Sequence, residues 1–161
     1  MQSISSFLPR KCGIATFTSD LIESTTASAK GEFEPLLVAM RSGDQKYNDP
    51  VKFEVHQDIK SDYICAADYI NFSHVDLVSV QHEFGLFGGE GGSYLSLLLN
   101  RLKVPVITTL HTVLDDPEPA YRKSLIDVCN ASHKIVTMNE RGVTMLQDIY
   151  NIPDRKIKLI A

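Results

Sequence analysis

Residues 76–99, DLVSVQHEFGLFGGEGGSYLSLLL, decide how this chain folds. The nearly continuous apolar run 77–80 is typical of a strand buried on both faces of a parallel sheet. Three polar residues follow it, and then five glycines that suit sharp turns or a close approach of backbone to a ligand. Ser93 is predicted to cap a helix whose leucines recur at helical spacing. Because ligands of open α/β sheets bind outside the carboxyl ends of the strands, we expect the working face at His82 and Glu83.

Composition limits the class of protein. The chain has 161 residues, 43% of them hydrophobic and 22% charged, which predicts one globular domain with a sizeable core. Its net charge of −4 argues against non-specific nucleic-acid binding, which needs a basic face. The sequence carries neither an 18-residue apolar window nor the pattern of a signal peptide, so we expect no transmembrane segment. Three widely spaced cysteines predict neither a disulfide framework nor a thiolate zinc site, and favour a cytoplasmic location.

Strand-like and helix-like segments alternate along the whole chain. We predict seven strands, at 4–8, 35–40, 51–56, 77–80, 104–110, 135–138 and 157–160. We predict helices from residue 14 to near Gly31, at 62–72, after Ser93, after the loop 115–119, and at 141–150. The alternation predicts a Rossmann-like three-layer α/β/α sandwich with a mostly parallel sheet of about seven strands. No helix follows the last strand, so we expect the chain to be part of a longer protein.

The glycines do not form a known nucleotide-binding motif. The first strand–helix turn contains Gly13 but no GxGxxG, and the acids Glu32 and Glu34 precede the second strand, whereas a ribose-binding acid follows it. The glycine-rich segment 88–93 has no lysine before its serine, which excludes a phosphate loop of the Walker type.

The first loop can be interpreted in two ways. Gly13 opens a helix whose free N–H groups can face an anion, and Arg10 and Lys11 lie beside it. A glycine at this position is more often needed only for a tight strand–helix turn. Cys12 lies next to cationic residues at the same helix start, which can lower a thiol pKa, although a small turn residue is the simpler interpretation.

Two histidines follow neighbouring strands. His82 and His111 are predicted at the same sheet edge, close in sequence to Glu83, Asp115 and Asp116. A single histidine is more often packed or solvated, but two at one edge beside carboxylates indicate a site. For the two aspartates, helix-start capping is the favoured alternative.

Three segments carry a resemblance to a known family. They are residues 8–17 (LPRKCGIATF), residues 81–92 beginning QHEFG, and residues 108–112 (TTLHT). With them the chain, over residues 4–160, resembles the N-terminal half of a retaining glycosyltransferase of GT-B architecture, in the family 4 (glycosyl transferases group 1) class.

The resemblance implies two Rossmann-like domains that face each other across a cleft. The C-terminal domain would hold the nucleotide-sugar, and residues 1–161 would form the acceptor-side domain, with the other domain absent from this chain. Gly13 would line the donor diphosphate, and His111 would be the catalytic residue that reaches the transferred sugar. The acceptor would be bound by Arg10, Lys11, His82, Glu83, Gly88 and Gly89. The resemblance implies no metal or other cofactor, and its partners are the nucleotide-sugar and a carbohydrate or other hydroxyl acceptor.

Two other functions stay open at this point. A hydrolase or lyase would use His82, Glu83, His111 and Asp115 as a metal or acid/base cluster. A non-catalytic sugar- or phosphate-binding module would bind its ligand without turnover.

Overall fold

One seven-stranded sheet organises the molecule. The computed structural model describes residues 1–30, 34–44 and 46–160, and in them every neighbouring pair of strands is parallel. The strands are β1 (Gln2–Ser5), β2 (Leu36–Arg41), β3 (Val51–His56), β4 (Val78–His82), β5 (Val106–Leu110), β6 (Lys134–Thr137) and β7 (Ile157–Leu159). Their order across the sheet is β3-β2-β1-β4-β5-β6-β7. The predicted α/β fold class is confirmed.

In the described residues, five α-helices connect and cover the strands. They are α1 (Gly13–Ser28), α2 (Lys60–Phe72), α3 (Leu95–Leu99), α4 (Pro119–Ala131) and α5 (Glu140–Asp148). Two 3₁₀ turns, Phe84–Leu86 and Glu90–Gly92, lead from β4 to α3. In the described ranges, no helix is both long enough and apolar enough to cross a membrane.

Helix α1 packs on one face of the sheet. Its Ile22 contacts a small apolar cluster that includes Leu37 and Ala39 of β2. The hydroxyls of Ser5 on β1 and Thr18 on α1 are 2.7 Å apart and buried. Side chains alternate along a strand, so the strand residues next to Ser5, Leu37 and Ala39 face the other side of the sheet.

The remaining helices pack on the opposite face. The largest apolar cluster joins α2, α3 and α4 to the middle of the sheet, through residues such as Tyr63, Leu95 and Val128. A second cluster joins α4 and α5 to β5, β6 and β7, through residues such as Leu125 and Leu146. The two helical layers and the sheet between them form the predicted three-layer sandwich.

The strand order reverses next to β1. From β1 the chain runs outward through β2 to β3, and from β4 it runs the other way to β7. In sheets of this kind the ligand crevice lies at the carboxyl ends of the strands where the order reverses. The loops after β1 and β4 begin at this point, and the loop after β5 begins beside it.

The region around Ser93 differs from the prediction. Helix α3 has only five residues, its N-cap is Tyr94, and the Ser93 side chain makes no capping bond. The reason is that Gly91 and Gly92 have positive φ angles, so the chain turns twice before a helix begins. The first helix ends at Ser28, three residues before Gly31, and Gly31 itself lies outside the described residues.

Candidate functional site

His111 is held at the end of β5 by contacts from three directions. Its backbone N–H donates to the His82 carbonyl at 3.0 Å, which extends the β4–β5 pairing by one residue. Its ring Nε2 lies 3.0 Å from Oε1 of the buried Gln81. The Phe17 ring of α1 meets the imidazole edge-on, with 4.9 Å between ring centroids. The half-buried ring therefore has a fixed orientation on the α1 face of the sheet, and His111 is also one of the residues that line a pocket.

This environment favours the neutral imidazole. Burial lowers the pKa of His111 from its ordinary value of 6.5, and the nearby Glu83 carboxylate opposes that change in part. Since the pKa falls below its ordinary value, the ring is mostly uncharged at neutral pH. A neutral imidazole has one N–H donor and one acceptor nitrogen, which suits hydrogen bonding to a hydroxyl.

Glu83 ties two loops together. One carboxylate oxygen accepts from the backbone N–H of Phe84 at 3.0 Å, and the other accepts from the Thr112 hydroxyl at 2.5 Å. The side chain thus caps the 3₁₀ turn after β4 and fastens it to the loop after β5. Both carboxylate oxygens therefore have protein partners. Through these two hydrogen bonds Glu83 fixes the position of the loop that follows His111.

A polar pocket of about 350 Å³ opens at the carboxyl ends of β5 and β6. Its wall includes His111 and Thr112 from one loop and Asn139 and Arg141 from the next. Arg141 donates to the carboxylate of Asp115 at 2.6 Å across the mouth of the pocket. The lining therefore presents both hydrogen-bond donors and acceptors, the mixture that a ligand rich in hydroxyl groups requires.

The predicted capping role of the aspartates is wrong. Helix α4 begins at Pro119 after the N-cap Glu118, whose side chain makes no capping bond. Proline at the first helical position lacks an N–H group, so fewer donors there need a cap. Asp115 pairs instead with Arg141, and Asp116 is exposed in the loop.

The side chain of His82 does not lie beside that of His111. It follows Val80 at strand spacing, so its side chain points to the opposite face of the sheet, where it is 0% exposed. The ring stacks on Phe87 at 5.8 Å and meets Phe84 edge-on at 5.1 Å. Burial, with a smaller effect from His111, lowers the pKa of His82 to about 4. In this conformation the imidazole cannot touch an acceptor, which corrects the expectation that it lies at the edge with Glu83.

Gly88 and Gly89 are needed for packing. Gly88 is buried, its N–H donates to the Tyr63 hydroxyl at 2.8 Å, and a side chain there would collide with the Gln57 carbonyl. Gly89 has a φ of +77°, and a side chain there would meet the Tyr94 ring at 2.6 Å. Their predicted contact with an acceptor stays a prediction, and the structure supplies a local reason for both glycines.

The first loop places Gly13 at the start of α1. The residue is exposed, and a side chain added there would meet no atom within 4 Å. Cys12 is the N-cap, but its thiol makes no capping bond and lies 3.2 Å from the Ser6 hydroxyl. Lys11 is exposed, whereas Arg10 is partly buried and its Nη1 has no hydrogen-bond partner in the described part of the chain. Open space and cationic side chains therefore surround this helix start.

The sequence does not identify three residues of the site. Gln81 is polar and precedes His82, but only the strand register shows that it points toward His111. Asn139 caps α5 by accepting from the Gly142 N–H at 2.7 Å, a role its position before a helix could have indicated. No sequence signal distinguishes Arg141 from an ordinary surface cation.

Within the described ranges, the histidines and carboxylates do not assemble a metal site. In the part of the chain that the structure describes, no group of three or more His, Cys, Asp or Glu residues is placed to hold a metal ion. His82 and His111 point to opposite faces of the sheet, so the cluster of the hydrolase or lyase alternative is not formed.

Comparison with known proteins adds no further constraint. No protein-family model matches the chain, and no curated protein matches it.

Proposed function

We propose that this chain is the acceptor-side domain of a retaining glycosyltransferase, which transfers a sugar from a nucleoside-diphosphate sugar to an acceptor hydroxyl. The fold class supports the proposal, because the candidate residues lie where α/β sheets of this kind bind ligands. The three sequence segments that resemble the family also support it, since two of them contain Gly13 and His111.

One observation carries the proposal: the polar pocket next to a neutral, oriented histidine. Saccharides present several hydroxyl groups, and each one both donates and accepts hydrogen bonds. The residues that line the pocket carry matching polar groups, namely the Thr112 hydroxyl, the Asn139 amide and the Asp115–Arg141 pair. A volume of about 350 Å³ lies within the range of small-molecule sites.

In the proposed reaction the chain would position substrates and stabilise developing charge. The exposed start of α1 at Gly13 would face the donor diphosphate, because free helix N–H groups and the helix dipole favour anions. His111 would accept a hydrogen bond from a hydroxyl of the transferred sugar and orient it. A fixed hydrogen bond of this kind requires no reorganisation during the reaction.

The decisive test is the substitution His111→Ala in a protein that contains this chain together with a nucleotide-sugar-binding domain. Nucleoside diphosphate release is measured with a panel of nucleotide-sugars and hydroxyl acceptors. We expect turnover to fall roughly a hundredfold, since a hydrogen bond that strengthens in the transition state is worth about 2–4 kcal/mol. The substitution also leaves the buried Gln81 oxygen without its partner, so the free energy of unfolding should fall by about 1–3 kcal/mol, and turnover is compared at a temperature where both proteins are folded.

The exposed His74 supplies the control, as His74→Asn, with turnover expected near that of the parent protein. Near-parental turnover in His111→Ala would contradict the proposed site. Binding of a saccharide without any turnover by the two-domain protein would favour the non-catalytic binding module instead.

A further inference from the structure

We propose that Gln81 is a positioning residue that fixes His111 in the tautomer with its proton on Nε2, which leaves Nδ1 as the acceptor available to a ligand. The identity of that ligand rests on the proposed function, whereas the tautomer itself does not.

The amide of Gln81 is fully enclosed. The side chain is 0% exposed and points to the α1 face of the sheet, between β1 and β5. Its Nε2 donates to the Ser79 hydroxyl at 3.3 Å, and its Oε1 lies 3.0 Å from Nε2 of His111. A buried amide keeps its hydrogen bonds because an unmade one costs about 1–3 kcal/mol. Both ends of this amide are therefore engaged.

The identity of the amide atom facing the ring decides the tautomer. A carbonyl oxygen only accepts, so the His111 nitrogen opposite it carries a proton. In a neutral imidazole the second nitrogen then has a free lone pair. The reversed amide would present N–H groups to the ring and would place the proton on Nδ1, so the two orientations predict opposite hydrogen-bonding roles for His111 in the pocket.

Two other contacts hold the His111 ring next to Gln81. The His111 backbone is fixed to the His82 carbonyl, and the Phe17 ring packs against the imidazole from α1. In the described residues, His111 Nδ1 has no hydrogen-bond partner, so it is the nitrogen left for a ligand hydroxyl. His111 Nδ1 is therefore ready to accept a hydrogen bond from a ligand hydroxyl before the ligand binds.

The test is NMR spectroscopy of the 161-residue chain with ¹⁵N-labelled histidine, at about pH 8 and without substrate. We expect the His111 proton on Nε2, protected from solvent exchange and close to protons of Gln81 and Phe17. In Gln81→Met the amide acceptor is lost, and we expect that proton to exchange about tenfold faster. Gln81→Glu keeps an acceptor, so the Nε2–H form should persist and the His111 pKa should rise.

Gln147→Met is the matched control, because Gln147 lies on α5 and donates to Asp154. It should leave the His111 signals unchanged. A proton on Nδ1 in the parent chain, or an unchanged exchange rate in Gln81→Met, would overturn the proposal. If Gln81→Met does not fold, the parent spectrum and Gln81→Glu still decide it. No substrate is present, so the result does not depend on whether the proposed glycosyltransferase function is correct.

Discussion

The two histidines at the strand ends have opposite environments because β-strand side chains alternate between faces. His111 meets an amide, an aromatic edge and a pocket, while His82 is enclosed by aromatic rings. Neither ring nitrogen of His82 has a hydrogen-bond partner in the described residues. An imidazole in such a place remains neutral, since a buried unpaired charge would cost far more than a buried unpaired nitrogen.

His82 should therefore make the fold sensitive to acid. Its pKa is about 4 in the folded chain against 6.5 when unfolded, so the unfolded chain binds more protons between these values. The stabilising difference is fully present above pH 6.5 and is lost progressively as the pH falls toward about 4. We expect the free energy of unfolding to drop by about 3 kcal/mol over this range, measured by urea unfolding at a series of pH values.

His82→Leu should remove most of this pH dependence while leaving stability near neutral pH within about 1 kcal/mol. The reason is that an apolar side chain suits the aromatic surroundings and has no unpaired nitrogen. His74→Asn at an exposed position should keep the parental slope. A parental slope in His82→Leu would show that other groups cause the acid sensitivity.

Sequence reasoning locates the residue-scale site only in part. The positions of His111 and Glu83 at strand ends could be predicted, because each follows an apolar run directly or after two polar residues. The placement of His82 in the core could not, since a histidine after an apolar run is compatible with either face until the register is known. The partnership of Asp115 with Arg141 joins residues 26 positions apart and has no local signal.

At the scale of elements, the glycine-rich segment after β4 is a packing device. Gly91 has a φ of +60°, and a side chain there would lie 2.9 Å from the Tyr121 Cα of α4. This close approach lets α4 pack directly on the 3₁₀ turn Glu90–Gly92. The glycine-rich sequence predicts tight turns in this segment. It does not predict which helix the segment contacts, because that depends on the tertiary fold.

Gly91→Ala should destabilise the chain by about 2–3 kcal/mol. A left-handed backbone costs a non-glycine residue roughly 1–2 kcal/mol, and the added methyl group would push α4 away. Gly85→Ala is the matched control in the same segment, because a side chain there would meet no atom within 4 Å. We expect it to change stability by about 0.5 kcal/mol or less in urea unfolding. Equal effects of the two substitutions would contradict this packing role.

The contact between the loops after β4 and β5 should be measurable as a coupling energy. Glu83 accepts from the Thr112 hydroxyl, and hydrogen bonds to charged groups contribute about 1.5–3 kcal/mol. In a double-mutant cycle with Glu83→Gln and Thr112→Val, we expect a coupling of about 1 kcal/mol, reduced because both residues are partly exposed. Additive effects within about 0.3 kcal/mol would mean that the two loops are held by other contacts.

At the scale of the whole molecule, the alternation of strands and helices was sufficient to predict the fold class and the approximate position of seven strands, although the first strand is Gln2–Ser5 and not 4–8. The order of the strands across the sheet could not be predicted from periodicity. A helical crossover can join two parallel strands whether or not they are neighbours in the sheet. Because the described strands are all parallel, their carboxyl ends lie at one edge of the sheet, and the strand order places β1, β4 and β5 side by side there. The candidate site is therefore a property of topology, and the sequence alone indicates its parts without their arrangement.

The last prediction concerns the activity of this chain by itself. The described site has a polar pocket and an exposed helix start, and both lie at the carboxyl ends of the strands of one sheet. In the proposed reaction the nucleoside part of the donor needs a second domain, whose binding energy would orient the diphosphate for transfer. We therefore expect the 161-residue chain to release no nucleoside diphosphate above background from any nucleotide-sugar and acceptor in the panel. The same chain joined to its nucleotide-sugar-binding domain should release it at a measurable rate. Since the isolated chain keeps the His111 environment, NMR titration with candidate acceptors should still shift the His111 signals. Turnover by the isolated chain would contradict the division of labour between two domains, and it would place a complete donor site within these residues.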